Sequence, residues 1–317
     1  MSRPTVSVLI AVYNGAPWLR EAIDSALSQS GVDVEVVVVD DGSTDGTAAV
    51  LDAIDDPRVV RDGFAANRGK VAAFNRAFAR STGDAVALLG ADDVLDPGSL
   101  VERWQAIADG AAGAWHAIQP CDAALRPIAA PWTGRDWTRD DLHRALRYNP
   151  ISGGGLMLGR AAADRAFPIP ESLRFEDWWL VVHTLALCGP IAWVDGPALR
   201  YRLHDTNAIG VVEQRMDPDA FERDQRRHVA FYDALVAAIA DWPIDEARRR
   251  ALVRIARDNR AVVAAMTEGR VCPPTPRRLR SVGAFKWLML TMLGVPPARR
   301  AWRPIVGTIT RVRSGLR

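Results

Sequence analysis

Three polar segments of this chain each follow an apolar run, and their residue types can hold a small molecule or a metal ion. The most informative segment is Asp40–Asp45 (Asp-Asp-Gly-Ser-Thr-Asp), which follows four consecutive valines. The other two are Tyr13–Gly15 and Gly90–Asp93. Carboxylates beside a phosphate repel it unless a divalent cation lies between them. The acidic segments therefore indicate a metal-bridged diphosphate, with one carboxylate left to accept a hydrogen bond from a base or a ribose.

Several other kinds of site are excluded by spacing. A dinucleotide site of the Rossmann type needs a Gly-x-Gly-x-x-Gly turn after the first strand, whereas residues 12–17 read Val-Tyr-Asn-Gly-Ala-Pro. The sequence contains no Walker loop either. Three cysteines, at positions 121, 188 and 272, are far apart and lack metal-ligand spacing. A disulfide framework and a zinc site are therefore not expected, and a reducing cytoplasm is the predicted location.

Alternating strands and helices must position the three polar segments. We predict strands over residues 6–11, 34–39, 58–61 and 85–89, and helices over 17–29, from about 45 and over 70–80. This alternation is typical of a parallel sheet with right-handed crossovers. The carboxyl ends of parallel strands meet at one edge, where ligands bind. We therefore expect the polar segments to converge on a single site.

The second half of the chain is less regular. Residues 110–200 are rich in Trp, three glycines occupy positions 153–155, and residues 175–187 predict a buried helix. A helical, arginine-rich pattern runs from about residue 211 to residue 266. With 49% hydrophobic and 25% charged residues, the composition is that of a globular protein. The chain is long enough for one large domain and an appendage.

Charge is concentrated in the last part of the chain. Residues 277–317 contain ten Lys and Arg and no Asp or Glu, which leaves the first 276 residues with a net charge of −8 (30 basic, 38 acidic). Two interpretations of this apolar, basic tail stay open: peripheral contact with an anionic membrane at its inner face, or packing on the catalytic domain or a dimer partner. No apolar run is long enough to predict a transmembrane helix, and no recognition motif indicates nucleic-acid binding.

Taken together, the ordered motifs resemble family 2 glycosyltransferases of the A-type fold. The motifs are Tyr13-Asn14, Asp40–Asp45, Asn67-Arg68-Gly69, Gly83-Asp84 through Asp92-Asp93, Phe175–Trp178 and Tyr201–His204. They cover roughly residues 4–207. The resemblance implies an α/β fold with a mostly parallel, Rossmann-like nucleotide-binding sheet in residues 1–210. A helical extension over residues 211–276 and the basic apolar tail over 277–317 would follow.

The resemblance implies roles for the residues that hold the donor. Tyr13 would lie against the base and Asp40 or Asp41 would accept its imide hydrogen, which favours uracil or thymine. Arg68 would approach the diphosphate, since a guanidinium can bond two oxygens. A simple turn and helix cap is the alternative for the acidic segment. The full set of implied nucleotide-binding residues is Ala11, Tyr13, Asn14, Asp40, Asp41, Asn67, Arg68, Gly69 and Ala91.

The metal motif of the family is Asp-x-Asp, and this chain departs from it. Gly90 replaces the first Asp, while Asp92 matches the second, which makes the main metal contact in the family. His204 resembles the late His of the family, which contacts the metal or the leaving diphosphate. We therefore predict Asp92 and His204 as ligands of Mn²⁺ or Mg²⁺. Capping of the following helix is the alternative for Asp93, and a structural role is the alternative for His204.

The catalytic residues implied by the resemblance are Asp177 and Glu176. Asp177 would be the general base that takes a proton from the acceptor hydroxyl. Helix capping is a compatible alternative, because the helix dipole stabilises negative charge at this end. Gly153 and Gly154 would let the backbone approach the sugar, although a plain turn also explains them. Trp178 and Trp179 would stack on acceptor sugars, while a core position is the default for the other tryptophans.

These expectations predict an inverting, hexosyltransferase-like enzyme. It would move a sugar from a nucleoside-diphosphate sugar, of UDP or dTDP type, to a hydroxyl of a glycan or lipid-linked acceptor in surface or cell-wall polysaccharide synthesis. The alternative is a non-catalytic sugar-nucleotide-binding or scaffolding protein that retains the fold, which the Gly90 substitution motivates.

Overall fold

The computed structural model describes residues 3–204 and 218–268, and the chain divides into two compact units after His204. The first unit contains eight strands: β1 Thr5–Val12, β2 Asp33–Asp40, β3 Val59–Gly63, β4 Ala85–Gly90, β5 Val94–Leu95, β6 Gly113–Cys121, β7 Leu156–Gly159 and β8 Ile191–Arg202. Its helices are α1 Leu19–Leu27, α2 Thr47–Asp52, α3 Lys70–Arg80, α4 Ser99–Ala108, α5 Leu142–Ala145, α6 Arg160–Ala166 and α7 Glu176–His183.

The eight strands form one mixed sheet in the order β3-β2-β1-β4-β7-β6-β8-β5. Strands β1 to β4 are parallel to one another, while β7 runs antiparallel to both β4 and β6. Strand β8 is parallel to β6, and the register shifts near Ala117. The parallel half thus ends at one edge, where Val12 is opposite Asp40 and Ala11 is opposite Gly90.

The parallel strands are buried because helices cover the sheet. Val36 to Val39 are each 0% exposed, as expected for a strand buried on both faces. Helix α3 has the predicted bounds, and its buried residues lie mostly at helical spacing: Val71, Ala72, Ala73, Phe74 and Ala77. Helix α2 begins at Thr47, two residues after the predicted start near Asp45, and the Asp45 carboxylate accepts the Thr47 N–H.

The predicted buried helix over residues 175–187 is present in two parts. Helix α7 covers Glu176–His183, and a π-helical turn continues it over Thr184–Cys188. A short 3₁₀ turn of three glycines, Gly153–Gly155, leads directly into β7. The start of α7 and this glycine turn are the elements of the second half that position side chains at the site.

The second unit contains two described helices, α8 Pro218–Asp241 and α9 Glu246–Thr267, which pack against each other. Phe231, Leu235 and Ile239 are buried along one stripe of α8 at four-residue spacing. The predicted basic tail, residues 277–317, lies outside the described residues. No helix within residues 3–204 and 218–268 is long and apolar enough to cross a membrane.

Candidate active site

The ends of β1 and β2 are joined by hydrogen bonds into one polar surface. The Asn14 N–H donates to Ser43 Oγ at 2.8 Å, and the Thr44 N–H donates to Asn14 Oδ1 at 2.8 Å. Asn14 has a φ of 55°, a left-handed conformation that Asn tolerates. Tyr13 beside it is 49% exposed and free to contact a ligand ring. The structure therefore brings together the first two predicted polar segments.

The two aspartates after β2 have different surroundings. Asp41 is 2% exposed, and its carboxylate oxygens accept the backbone N–H groups of Arg68 (2.7 Å) and Gly69 (2.8 Å). Gly42 has a φ of 73°, and a Cβ there would lie 2.6 Å from the Ala66 backbone. Asp41 thus fixes the segment 66–69 against the end of β2. Asp40 is more exposed, and its Oδ1 accepts the Ser43 N–H at 2.9 Å.

The side chains of residues 67–69 extend outward from this fixed backbone. Asn67 is exposed, and the Arg68 guanidinium lies 4.8 Å from the centre of the Phe64 ring. Arg68 also pairs with Glu171 at 3.1 Å, with both side chains about half exposed. The exposed ion pair is weak, so Arg68 can exchange Glu171 for another anion at small cost.

The third segment places the predicted metal ligands in contact. Asp92 Oδ2 lies 3.1 Å from His204 Nε2. Asp93 is buried and accepts the Arg202 N–H at 3.0 Å, and burial together with the charge of Asp92 raises its pKa well above the ordinary value. A Cβ at Gly90 would lie 2.8 Å or less from carboxylate oxygens of both aspartates. The space of the missing first Asp is therefore occupied by the two that remain.

Arg202 organises this segment and was assigned no role from the sequence. Its side chain is 2% exposed, its Nε donates to the Asp92 carbonyl at 2.8 Å, and it pairs with Glu21 of α1. The guanidinium lies 4.3 Å from the ring centre of Trp18, which stacks on His204 at 5.7 Å. Arg202 thus joins the Asp92 backbone and the ring beneath His204. A lone Arg between apolar and aromatic residues in a strand was the only available signal.

The structure brings together the two predicted metal ligands, Asp92 and His204, with no third ligand of these types grouped beside them in the described residues. Within residues 3–204 and 218–268, no three His, Cys, Asp or Glu side chains are grouped as a metal site. Asp92 and His204 would provide one oxygen donor and one nitrogen donor, of which the carboxylate is the donor type that Mn²⁺ and Mg²⁺ prefer. Further ligands would have to come from a bound substrate.

The predicted catalytic pair lies at the start of α7 beside a lysine. Glu176 is 6% exposed, and Lys70 Nζ lies 2.8 Å from its Oε1. Asp177 Oδ2 accepts the Gly153 N–H at 3.2 Å. Burial and the charge of Glu176 raise the pKa of Asp177 to about 6, against the opposing effect of Lys70. A carboxylate with this pKa is suited to accept a proton near neutral pH.

Lys70 is a site residue that the sequence analysis missed. Burial would lower its pKa, but the charges of Glu176 and Asp177 outweigh this and raise it. Lys70 therefore remains charged and balances one of two adjacent carboxylates. It is the first residue of α3, and 106 positions separate it from Glu176, so no local pattern links them.

The prediction that Trp178 and Trp179 stack on acceptor sugars is wrong. They are 1% and 5% exposed, and their indole N–H groups donate to the carbonyls of Ala145 and Ala166. Both are core residues that hold α7 in place. Their position next to Asp177 in sequence does not bring them to the surface, because successive residues of a helix point in different directions.

Packing explains the glycine turn that meets Asp177. A Cβ at Gly154 would lie 2.5 Å from Leu199 Cδ2, and one at Gly155 would lie 3.1 Å from the His116 carbonyl. The buried Arg103 donates to the Gly155 carbonyl at 3.1 Å. The glycines therefore let the turn lie close against β6 and β8. Gly153 lies beside Asp177, and its approach to a sugar stays a prediction.

The fold and this site define a glycosyltransferase of the A-type class. The chain belongs to glycosyl transferase family 2, whose family model matches residues 7–167. The predicted family is thereby confirmed.

Curated relatives cover part of the chain. An uncharacterized glycosyltransferase from Nostoc sp. is 32% identical over 64% of this chain and 66% of its own length. The succinoglycan biosynthesis protein ExoO of Rhizobium meliloti is 44% identical over 38% of this chain and 34% of its own length. The chain thus spans slightly less than two thirds of the first relative and about a third of the second.

Solved structures confirm the predicted fold class. S. aureus TarS 1-349 in complex with UDP-GlcNAc has a TM-score of 0.60 at 18% identity, over 94% of this chain and 83% of that chain. The mannosyltransferase PcManGT from Pyrobaculum calidifontis, in complex with GDP-Man and Mn²⁺, has a TM-score of 0.51 at 21% identity. That match covers 95% of this chain and 84% of the other.

Proposed function

We propose that this chain transfers a sugar from a nucleoside-diphosphate sugar to a hydroxyl group of a glycan or lipid-linked acceptor, with inversion at the anomeric carbon. The observation that carries the proposal is the environment of Asp177. This carboxylate has a pKa raised to about 6 and is held by the Gly153 N–H beside the Lys70–Glu176 pair. A general base needs this combination of fixed position and raised pKa.

The donor would bind across the ends of β1, β2 and β4. Tyr13 is exposed for contact with a base, and Asp40 is the accessible carboxylate for its imide hydrogen, which favours UDP or dTDP. Gly15 and Ala91, on neighbouring strand ends, are close enough that a Cβ on Gly15 would lie 3.6 Å from the Ala91 Cβ. The UDP-GlcNAc complex of TarS supports a donor of this kind.

A divalent cation would be held by Asp92 and His204, with diphosphate oxygens of the donor as further ligands. Mn²⁺ or Mg²⁺ bound there would neutralise charge on the leaving diphosphate. The Mn²⁺ complex of the PcManGT mannosyltransferase supports the choice of metal. Arg202 positions both ligands, because it bonds the Asp92 carbonyl and lies on Trp18, the ring that stacks on His204.

In the reaction, Asp177 takes the proton of the acceptor hydroxyl as its oxygen attacks the anomeric carbon. The bond from that carbon to the diphosphate breaks, and the nucleoside diphosphate leaves. A single displacement inverts the anomeric configuration and needs no carboxylate nucleophile. Lys70 keeps Glu176 from adding a second uncompensated negative charge beside the base.

The polysaccharide context follows from the relatives. ExoO is a succinoglycan biosynthesis protein, and a chondroitin synthase of Pasteurella multocida is 38% identical over 31% of this chain. An acceptor in surface or cell-wall polysaccharide synthesis is the corresponding proposal here.

Peripheral membrane contact through residues 277–317 belongs to the same proposal. Flotation with anionic vesicles should be lost when these residues are deleted, and unchanged flotation would remove the tail from this role.

The test of the proposed activity is release of nucleoside diphosphate from UDP-, dTDP- and GDP-sugars, with Mn²⁺ or Mg²⁺ and a panel of oligosaccharide acceptors. We expect turnover with at least one donor. The second candidate, a non-catalytic sugar-nucleotide-binding protein, is motivated by Gly90 in the metal motif. Tight UDP binding without any turnover, equally in the wild type and in Asp177→Asn, would favour that candidate.

A further inference from the structure

One tryptophan of the first unit is presented on the surface by a fixed backbone. Trp132 is 50% exposed, whereas Trp115, Trp137, Trp178 and Trp179 are each 5% exposed or less. Its backbone N–H donates to the Ile118 carbonyl at 2.8 Å, and its carbonyl accepts the Ile118 N–H at 3.2 Å. The Trp132 ring also lies 5.7 Å from the ring of Tyr201, at an angle of 43°. A ring held in this way loses little conformational entropy on contact with a ligand.

The strand residues next to this aromatic pair contact the glycine turn that meets Asp177. Ile118, the partner of Trp132, is in register with Leu199 of β8, and Tyr201 follows two residues later on the same face. Gly154 and Gly155 lie against the side chains of Leu199 and Ile118.

Gly153, the first glycine of this turn, contacts the proposed base. Gly153 donates its N–H to Asp177. The glycine turn therefore lies between Asp177 and the side chains of Ile118 and Leu199, the strand residues next to the aromatic pair.

We propose that Trp132, together with Tyr201, is a stacking platform for a pyranose ring of a glycan acceptor. An indole ring is a large, flat apolar surface with a polar edge. A pyranose ring is its complement, since it has an apolar C–H face and a rim of hydroxyl groups. A glycan stacked on Trp132 is held beside Ile118 and Leu199, which contact the turn that meets Asp177. This inference rests on the proposed function and identifies the part of the acceptor that the chain recognises.

The surrounding charge favours a glycan over a lipid surface as the occupant. Residues 122–136, which carry Trp132, contain two Asp and two Arg and thus no net charge. Arg126 is paired with Asp122 at 2.8 Å. A segment that binds anionic lipid carries an excess of Lys and Arg. This one does not.

The test measures binding of the full chain to an array of lipid-free oligosaccharides, alongside UDP binding by calorimetry. Trp132→Ala should bind the recognised glycans about tenfold more weakly, whereas Trp132→Phe keeps an aromatic face and should retain most of the affinity. Ile128→Ala is the matched control, because Ile128 is 49% exposed on the same segment but cannot stack. It should bind like the wild type. UDP affinity should be the same in all three variants.

Three results would contradict the proposal that Trp132 is a stacking platform for a glycan. One is equal glycan binding by the wild type and Trp132→Ala, and another is no glycan binding by a wild type that binds UDP. The third is loss of binding to phosphatidylglycerol vesicles in both Trp132→Ala and Ile128→Ala with glycan binding unchanged, which would assign the surface to a membrane. Glycan binding needs no turnover, so failure of the proposed transferase activity would appear separately, as absent release of nucleoside diphosphate.

Discussion

The donor half and the acceptor half of the candidate site are built in different ways. The donor half consists of short polar segments that directly follow β1, β2 and β4. Hydrogen bonds between neighbouring segments hold them together, as in the bond from the Asn14 N–H to Ser43 Oγ. The acceptor half depends on contacts between distant parts of the chain, such as Lys70 with Glu176 and Gly153 with Asp177. In the proposed reaction, nucleotide binding would therefore depend on strand ends, whereas proton transfer would depend on tertiary packing.

The largest effect that separates the two halves is expected from Asp177→Asn. The amide cannot accept the acceptor proton, so turnover should fall by about 10²- to 10⁴-fold. UDP affinity should stay the same, because Asp177 is outside the donor half. Stopped-flow release of UDP and calorimetric UDP titration measure the two quantities. A parallel loss of UDP affinity would show that Asp177 also contributes to donor binding, so the two halves would not be separate.

Arg202→Met should produce the next largest effect, on folding stability. It removes the charge of a side chain that is 2% exposed and takes away the partner of Glu21 and of the Asp92 carbonyl, whereas the backbone N–H that Asp93 accepts is kept. Glu21 is more than half exposed, so the main loss is the hydrogen bonding of the buried guanidinium, which should cost about 2 kcal/mol of unfolding free energy.

A surface ion pair of α1 supplies the control for that variant. Arg20→Met removes the pair of Arg20 with Asp24, whose side chains are more than half exposed, and should cost about 0.5 kcal/mol or less. Urea titrations measure the free energy of unfolding of both variants. Equal losses for Arg202→Met and Arg20→Met would show that Arg202 does not organise the segment of Asp92 and Asp93.

Asp40→Asn tests the donor half alone. The amide still fits the space, but it loses the charge that accepts the imide hydrogen, so UDP affinity should weaken by about 1.5 kcal/mol, or about tenfold. The maximal rate at saturating donor should change little, since Asp177 is untouched. Calorimetry and initial rates distinguish the two quantities. Unchanged UDP affinity would remove Asp40 from the base-reading role.

Lys70→Met tests the electrostatics of the acceptor half and should have the smallest effect near neutral pH. Asp177 acts as a base only when deprotonated, so the rate should rise with pH through about 6 in the wild type. The positive charge of Lys70 lowers the pKa of Asp177, so its removal should move this limb to higher pH.

Arg76→Met is the matched control for Lys70→Met, because it removes a positive charge of the same helix that is paired with Asp62 instead. Its pH profile should follow that of the wild type. The same shift in both variants would indicate a general charge effect rather than the Lys70–Glu176 contact.

The same contrast explains what the sequence could predict. The strands of the parallel half, helix α3 and the convergence of three polar segments follow from apolar runs and from the rule that ligands bind at the carboxyl ends of parallel strands. The pairing of Asp92 with His204 was accessible through ordered motifs. These features are local, or they are fixed by the topology of the sheet.

The acceptor half, and the contact of Arg202 with Asp92 in the donor half, could not be predicted in the same way. Lys70 and Arg202 act on residues more than 100 positions away, and the spacing along the chain contains no trace of either contact. Trp178 and Trp179 were placed at the site by proximity in sequence, but the helix turns both rings into the core. Trp132 is exposed because its backbone pairs with β6 at the surface, a contact between segments that no periodicity indicates.

The most direct test of the central claim, a single displacement assisted by Asp177, is the anomeric configuration of the product. The wild type would be given an α-linked UDP-sugar that it accepts, together with an acceptor. The one-bond C–H coupling constant of the anomeric carbon in an NMR spectrum of the product would then show the configuration of the new linkage. The account predicts a β-linked product. An α-linked product would contradict it, because retention requires a mechanism other than one displacement with Asp177 as the base.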